Sequence, residues 1–176
     1  MTSGQAAGGQ SGPSVIDVLI AVDAETIVAS YEPGTPEAPS SIDRPLLYMI
    51  VRQGNAVFGD GSKELKIAAE VLDEIRWRAT TLSLGAGRDV LLYQFVALHG
   101  GQLLSTPTPV LVHLTEPLPN PADPLHPSAQ AAGNYFWNTT VLGTGSVTYT
   151  FQFAVADREG NMTGYYSWDP FITITD

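Results

Sequence analysis

The stretch DEIRWRATTLSLGAGRDVLLYQFVAL, residues 73–98, indicates the fold class. In its first half Ile75, Trp77 and Ala79 alternate with polar residues, which is the period of two expected for a half-buried strand. Its second half, residues 89–98, is apolar on both faces, as in a strand that is covered on both sides. A glycine-containing segment, residues 85–87, separates the halves. The stretch therefore predicts a β-hairpin at the centre of an all-β core.

Six further segments show strand patterns, namely residues 15–23, 46–52, 64–71, 110–114, 145–157 and 162–175, the last interrupted at Asp169-Pro170. Asp23 is placed to cap a short helix. The proline-rich segments 32–45 and 117–127 are expected to be surface loops. Eight or more short strands with little helix predict an antiparallel, jelly-roll-like β-sandwich with one or two short helices. We expect one domain over residues 15–176, preceded by a flexible tail, residues 1–14.

Composition argues against several classes of function. The chain has 176 residues, a net charge of −10 and only eight Lys and Arg, which disfavours nucleic acid as a partner. No apolar run approaches the ~20 residues that cross a bilayer, so no membrane segment is expected. The absence of cysteine excludes disulfides and thiolate metal sites and fits a reducing compartment. With no signal-like N-terminus, a cytoplasmic location is expected.

Motifs of catalysis are missing from the sequence. It contains no Gly-x-Ser-x-Gly elbow, no His-Glu-x-x-His motif and no dinucleotide-binding glycine pattern. His99, His113 and His126 fall in different predicted elements. We therefore expect a non-enzymatic protein without cofactor or metal, and a hydrolase is the weakest alternative.

Residues 133–138 offer the best candidate binding site. Asn134, Tyr135, Trp137 and Asn138 combine aromatic rings with amides, which suits stacking on a sugar and bonding to its hydroxyls. Asp123, in the second proline-rich segment, is a further candidate ligand-binding residue. The alternative is that the aromatic residues cap the core and that the proline-rich segment is only a stiff, solvated loop.

Charged residues on the predicted strands are interpreted as structural. Asp17 and Asp23 lie on one face of the first strand. We expect Arg76 and Arg78 to pair with these carboxylates on a neighbouring strand. That pairing would fix the strand register rather than bind an anion.

Several segments together resemble the AidA/PixA family of bacterial inclusion-body proteins. The segments are residues 16–20, Thr26-Ile27, Tyr31, 48–51, 75–80, Leu91-Leu92-Tyr93 and Gly164-Tyr165-Tyr166-Ser167-Trp168-Asp169-Pro170. The most specific are Arg-Trp-Arg-Ala-Thr and the Trp-Asp-Pro ending. Asp17, Arg76, Trp77, Arg78, Tyr93, Trp168, Asp169 and Pro170 are accordingly assigned structural roles.

The resemblance implies a small cytoplasmic protein that accumulates at high cell density, in some members in inclusions or in contact with a host. It implies no catalytic residues. The leading hypothesis is thus a self-associating, accumulating β-protein, and the alternative is a lectin-like module with a carbohydrate as partner. With three methionines in the chain, a role in sulfur storage is not expected.

Overall fold

The computed structural model describes residues 12–83, 86–168 and 174–175. Asp169 and Pro170 lie outside the described residues, as does most of the predicted N-terminal tail. The strands are β1 Val15–Val22, β2 Ser40–Ser41, β3 Leu47–Val51, β4 Ala56–Phe58, β5 Lys66–Ala68, β6 Glu74–Thr81, β7 Asp89–His99, β8 Thr108–Asn120, β9 Asp123–Thr140, β10 Thr148–Ala156, β11 Met162–Trp168 and β12 Ile174–Thr175. Helix α1, Ala24–Ser30, follows β1, and a 3₁₀ turn at Gly101–Leu103 follows β7.

Three sheets contain these strands. The first has the order β3-β1-β6-β9-β8, the second β2-β11-β10-β7, and a small third sheet has the order β12-β5-β4. Pairing is antiparallel except between β1 and β6, β11 and β2, and β12 and β5. The all-β sandwich predicted from the sequence is confirmed. No helix of the described residues is long and apolar enough to cross a membrane.

Strand β1 shows how the sequence pattern determines burial. Ile16, Val18, Ile20 and Val22 alternate along the strand and are all buried. Because successive side chains of a strand point to opposite faces, this set directs one face of the sheet into the core. The strand ends where the carboxylate of Asp23 accepts the backbone N–H of Thr26 at 3.1 Å and caps α1, as predicted.

Aromatic rings join the two larger sheets. The Trp77 ring of β6 lies 5.5 to 5.8 Å from the rings of Phe95, Tyr149 and Phe151, which belong to β7 and β10 in the opposite sheet. Its indole N–H donates to the hydroxyl of Tyr149 at 2.7 Å, with both side chains buried. Trp168 of β11 is also buried, and its ring packs against Phe151. Trp77 is therefore a link between the layers.

The predicted hairpin between residues 75–80 and 89–98 is wrong. Strand β6 lies between β1 and β9 in the first sheet, whereas β7 pairs with β10 at the edge of the second. The chain thus passes from one layer to the other between the end of β6 and the start of β7. β1 pairs with β6 along its whole length, and β9 occupies the other side of β6 from Glu74 to Trp77. Both strands exist and both contribute to the core.

The second proline-rich segment, residues 117–127, is part of a long β-ribbon instead of a loop. Strands β8 and β9 pair from Thr108–Asn138 to Asn120–Asp123, at the tip. Strand β9 pairs with β6 only over Trp137–Thr140, where Trp77 faces Trp137 in the last pair. Residues 110–136 beyond that pair are the arm, whose two strands pair with each other. The segment is exposed, as predicted, but its backbone is that of a hairpin.

Candidate functional site

The residues predicted to bind a ligand do not converge in the structure. Asp123 lies at the tip of the arm, where its carboxylate is 2.8 Å from the Nδ1 atom of His126 and both side chains are largely exposed. Asn134, Tyr135, Trp137 and Asn138 lie along the base of β9. Their positions alternate between the two faces of that strand, so they form no single surface.

Tyr135 and Trp137 close the outer edge of the second sheet. The Leu92 N–H of edge strand β7 donates to the Tyr135 hydroxyl at 2.9 Å, and the Trp137 indole N–H donates to the Leu92 carbonyl at 3.0 Å. Burial raises the pKa of Tyr135 to about 12. Trp137 is only 8% exposed. A sugar stacks on an open ring face, and the Trp137 ring presents none.

The other two candidates lie on the outer face of the first sheet. Asn138 is the strand partner of Arg76, and its Oδ1 atom is buried without a hydrogen-bond partner in the described residues. Asn134 is the partner of Val112 on β8. Asn134 thus belongs to the arm and Asn138 to the body of the sheet.

The arginines of β6 do not pair as predicted. The Arg76 Nε–H donates to the Glu74 carboxylate of the same strand at 2.7 Å. Asp17 faces Arg76 across the β1–β6 pair, but the hydrogen bond that Arg76 donates to Glu74 is the main cause that raises the pKa of Arg76, and Asp17 contributes least. Arg78 is exposed and makes no ion pair or hydrogen bond within the described residues. The prediction that both arginines pair with Asp17 or Asp23 is wrong, because residues i and i+2 of one strand share a face and Glu74 is nearer.

Tyr93 of β7, assigned a structural role, packs edge-on against Tyr165 of β11 in the same sheet, with ring centroids 5.6 Å apart. Its hydroxyl donates to the Pro36 carbonyl in the first proline-rich segment at 3.1 Å. This contact holds that segment to the second sheet.

A groove of about 540 Å³ lies where β9 separates from β6. It is formed by the outer faces of β1, β6, β8 and β9, and its residues are Asp17, Val18, Leu19, Arg76, Arg78, Val112, Leu114, Asn134 and Phe136. The Arg76 guanidinium lies over the Phe136 ring, 5.0 Å from its centroid. Arg78 remains available to an anion. The groove is hence a mainly apolar surface that also carries Arg78, which has no ion pair within the described residues, and Asp17, which faces Arg76.

Sequence reasoning found Asp17, Arg76, Arg78 and Asn134 but missed the apolar residues of this groove. Leu19 is exposed on β1, and Val112 and Leu114 come from β8. Their convergence depends on β6 and β9 being neighbours, a pairing between residues about 60 positions apart in the sequence. The only local signal was Leu19, Val112 and Leu114 themselves, which are apolar residues at outward-facing positions.

The described residues assemble neither a metal site nor a hydrolytic triad. No group of three or more His, Cys, Asp or Glu side chains that could hold a metal occurs within residues 12–83 and 86–168. The ring of His126 contacts Asp123, but no serine or threonine hydroxyl bonds to that ring in the described part of the chain. A hydrolytic triad requires such a contact.

Comparison with known proteins identifies the family. The family model described as PixA, inclusion body protein, matches residues 14–174. A crystal structure of an inclusion body protein (PixA) from Burkholderia cenocepacia J2315 is similar, with a TM-score of 0.78, 20% sequence identity, and coverage of 94% of this chain and 98% of that one. No functionally curated protein is detectably similar in sequence. The similarity suggested by the sequence motifs is confirmed: the chain belongs to the PixA family of inclusion body proteins.

Proposed function

We propose that this protein is a non-enzymatic, self-associating protein that accumulates in the cytoplasm, and that the arm is the surface through which its copies associate. The observation that carries the proposal is the arm itself. It extends from the body of the sandwich, and its residues are exposed or only half-buried. Cytoplasmic accumulation at high cell density and contact with a host enter the proposal from the family resemblance, and the absence of cysteine fits that compartment.

The arm exposes large apolar side chains, which would stay in contact with water if the protein were monomeric. Leu111 is 67% exposed and Leu125 is 87% exposed, and Leu114 and Leu118 are exposed as well. Leu114 and Leu118 share one face of the ribbon, and contiguous exposed apolar surface marks interaction sites in soluble proteins. A two-stranded ribbon is also only marginally stable in water by itself. Contact with a second copy would bury these side chains and stabilise the ribbon.

The edges of the arm are less suited to association than its faces. Strand β8 forms the edge of the first sheet and contains Pro109, Pro117 and Pro119. Proline has no N–H to donate, so prolines on an edge strand hinder the addition of another strand. The arm would thus associate through side chains on its faces, which favours a specific contact over indefinite strand pairing.

Shortening the arm tests this proposal. Residues 113–133 are replaced by Asn-Gly, so that Val112 and Asn134, which already face each other, flank a two-residue hairpin turn. Sedimentation velocity over rising concentration should show association of the full chain and a monomer for the shortened one. Circular dichroism confirms that both are folded. A full chain that stays monomeric, or two chains that associate equally, would refute the proposal.

A further inference from the structure

We propose that one face of the arm, continuous with the groove, forms a two-fold interface in which Arg78 of each copy pairs with Glu116 of the other. The inference rests on the proposed self-association and identifies its surface and its occupant, a second copy of this chain. It is drawn from the register of the arm and from two charges that have no partner within the described residues.

The register places the groove and the outer half of the arm on one continuous face. In the β8–β9 ribbon, Val110 faces Phe136, Val112 faces Asn134, Leu114 faces Ala132, Glu116 faces Gln130 and Leu118 faces Ser128. Directly opposed residues lie on the same side of a sheet, and so do residues two apart on a strand. Val112 and Leu114 line the groove. Glu116 and Leu118 therefore continue the groove surface toward the tip, and this surface is here called the strip.

Opposite charges mark the two ends of the strip. Arg78 lies at the groove end, where the β6–β9 pairing stops, and it makes no ion pair with Asp17, which lines the same end and faces Arg76. Glu116 lies six residues beyond Val110, or about 20 Å along an extended strand. Neither side chain makes an ion pair in the described residues, so the two do not meet within one copy. The arm itself, residues 110–136, contains no Lys or Arg.

A strip that is cationic at one end and anionic at the other is complementary to itself when turned by 180°. Two copies that face each other in antiparallel orientation bring Arg78 of each against Glu116 of the other, and the contact closes as a symmetric dimer. The axis would pass between Val112 and Leu114, which supply an apolar centre. Parallel stacking of two strips would instead oppose like charges.

The net negative charge of the protein favours an orientation that brings opposite charges together. With 18 acidic and eight basic residues, two copies repel each other in most orientations. An orientation that places a cation against a carboxylate twice, around an apolar centre, is therefore favoured over the other orientations. Charge would here supply specificity, and burial of the central apolar side chains would supply affinity.

Charge reversal with complementation tests the interface. Arg78→Glu makes both ends of the strip anionic, and Glu116→Arg makes both ends cationic. Each variant alone should dimerise more than about tenfold more weakly than the parent, since both ion pairs become repulsive. An equimolar mixture of the two should form a one-to-one heterodimer, because every end then meets its opposite. The double variant Arg78→Glu/Glu116→Arg should form a homodimer.

Matched controls separate this effect from a change in net charge. Arg158→Glu and Glu159→Arg change the net charge by the same amounts in the exposed β10–β11 turn, away from the strip, and should leave dimerisation unchanged. Native mass spectrometry distinguishes the heterodimer from either homodimer. Circular dichroism confirms folding of each variant, which is expected because neither altered side chain has a partner to lose.

The outcomes divide the two proposals clearly. Recovery of the dimer in the mixture and in the double variant supports the reciprocal pairing. Association that depends on the arm but is unaffected by either single reversal overturns the strip interface and leaves arm-mediated association standing. A parent protein that is monomeric at all concentrations overturns both.

Discussion

Removal of one hydroxyl, in Tyr149→Phe, measures the link between the two large sheets. The Tyr149 hydroxyl accepts the indole N–H of Trp77 at 2.7 Å, and both side chains are buried. The substitution keeps the ring and leaves the N–H without an acceptor inside the core. An unsatisfied buried donor costs about 1–3 kcal/mol of unfolding free energy. For a chain of this length each kcal/mol lowers Tm by about 2–4 °C, so Tm should fall by about 2–12 °C.

Tyr93→Phe is the matched control, because its hydroxyl donates to the Pro36 carbonyl at an exposed position. Water can replace that bond, and the expected change lies within about 0.5 kcal/mol. Urea unfolding followed by tryptophan fluorescence gives both free energies under the same conditions. If Tyr149→Phe destabilises the protein no more than Tyr93→Phe, the hydrogen bond does not contribute to joining the layers and the reasoning fails.

Three further predictions concern the sheet edge and a tight turn. Tyr135→Phe leaves the Leu92 N–H without its acceptor and should lower the unfolding free energy by about 1–2 kcal/mol in urea titrations. Because the pKa of Tyr135 is raised to about 12, its neutral form favours the folded state. The stability that this group contributes is complete below pH ~10 and is lost as pH rises through about 12. Tyr135→Phe should flatten that decline. Gly59→Ala should cost more than about 2 kcal/mol, since a Cβ there would lie 1.7 Å from the Glu64 carbonyl oxygen, whereas Gly54→Ala, also at positive φ but in open space, should cost about 1 kcal/mol. Equal losses at the two glycines would contradict the steric argument.

The core strands could be predicted because burial determines their pattern. In β1 one face is buried and the other is exposed except at Ala21, so buried apolar residues recur at every second position from Ile16 to Val22. Trp77 was assigned to the core for the same reason and lies there. Periodicity does not show which strands are neighbours in a sheet. Sequence adjacency suggested β6 with β7, while the structure pairs β6 with β1 and β9.

Of the arm only residues 110–114 were predicted as a strand, because beyond them the signal on which strand prediction depends is absent. With both faces exposed over most of its length, no burial asymmetry separates apolar from polar positions. Its prolines argue against a strand in the middle of a sheet. They are tolerated here because each strand of the ribbon has a partner on one side only, so an N–H on the other side has no ladder bond to lose. The same prolines that suggested a loop are compatible with a free-standing ribbon.

A closed dimer on the strip would also leave surface for further assembly. Leu111 and His113 lie on the opposite face of the arm from the strip, because they alternate with Val112 and Leu114. Leu111 and the tip residue Leu125 would stay exposed in such a dimer. The charge of −10 on each copy opposes closer packing of dimers at neutral pH, and that repulsion weakens as the pH approaches the isoelectric point near 4.5 or as salt is added. Pairing by the strip and accumulation into larger bodies would therefore be separate steps, the first depending on two specific charges and the second on net charge and apolar surface.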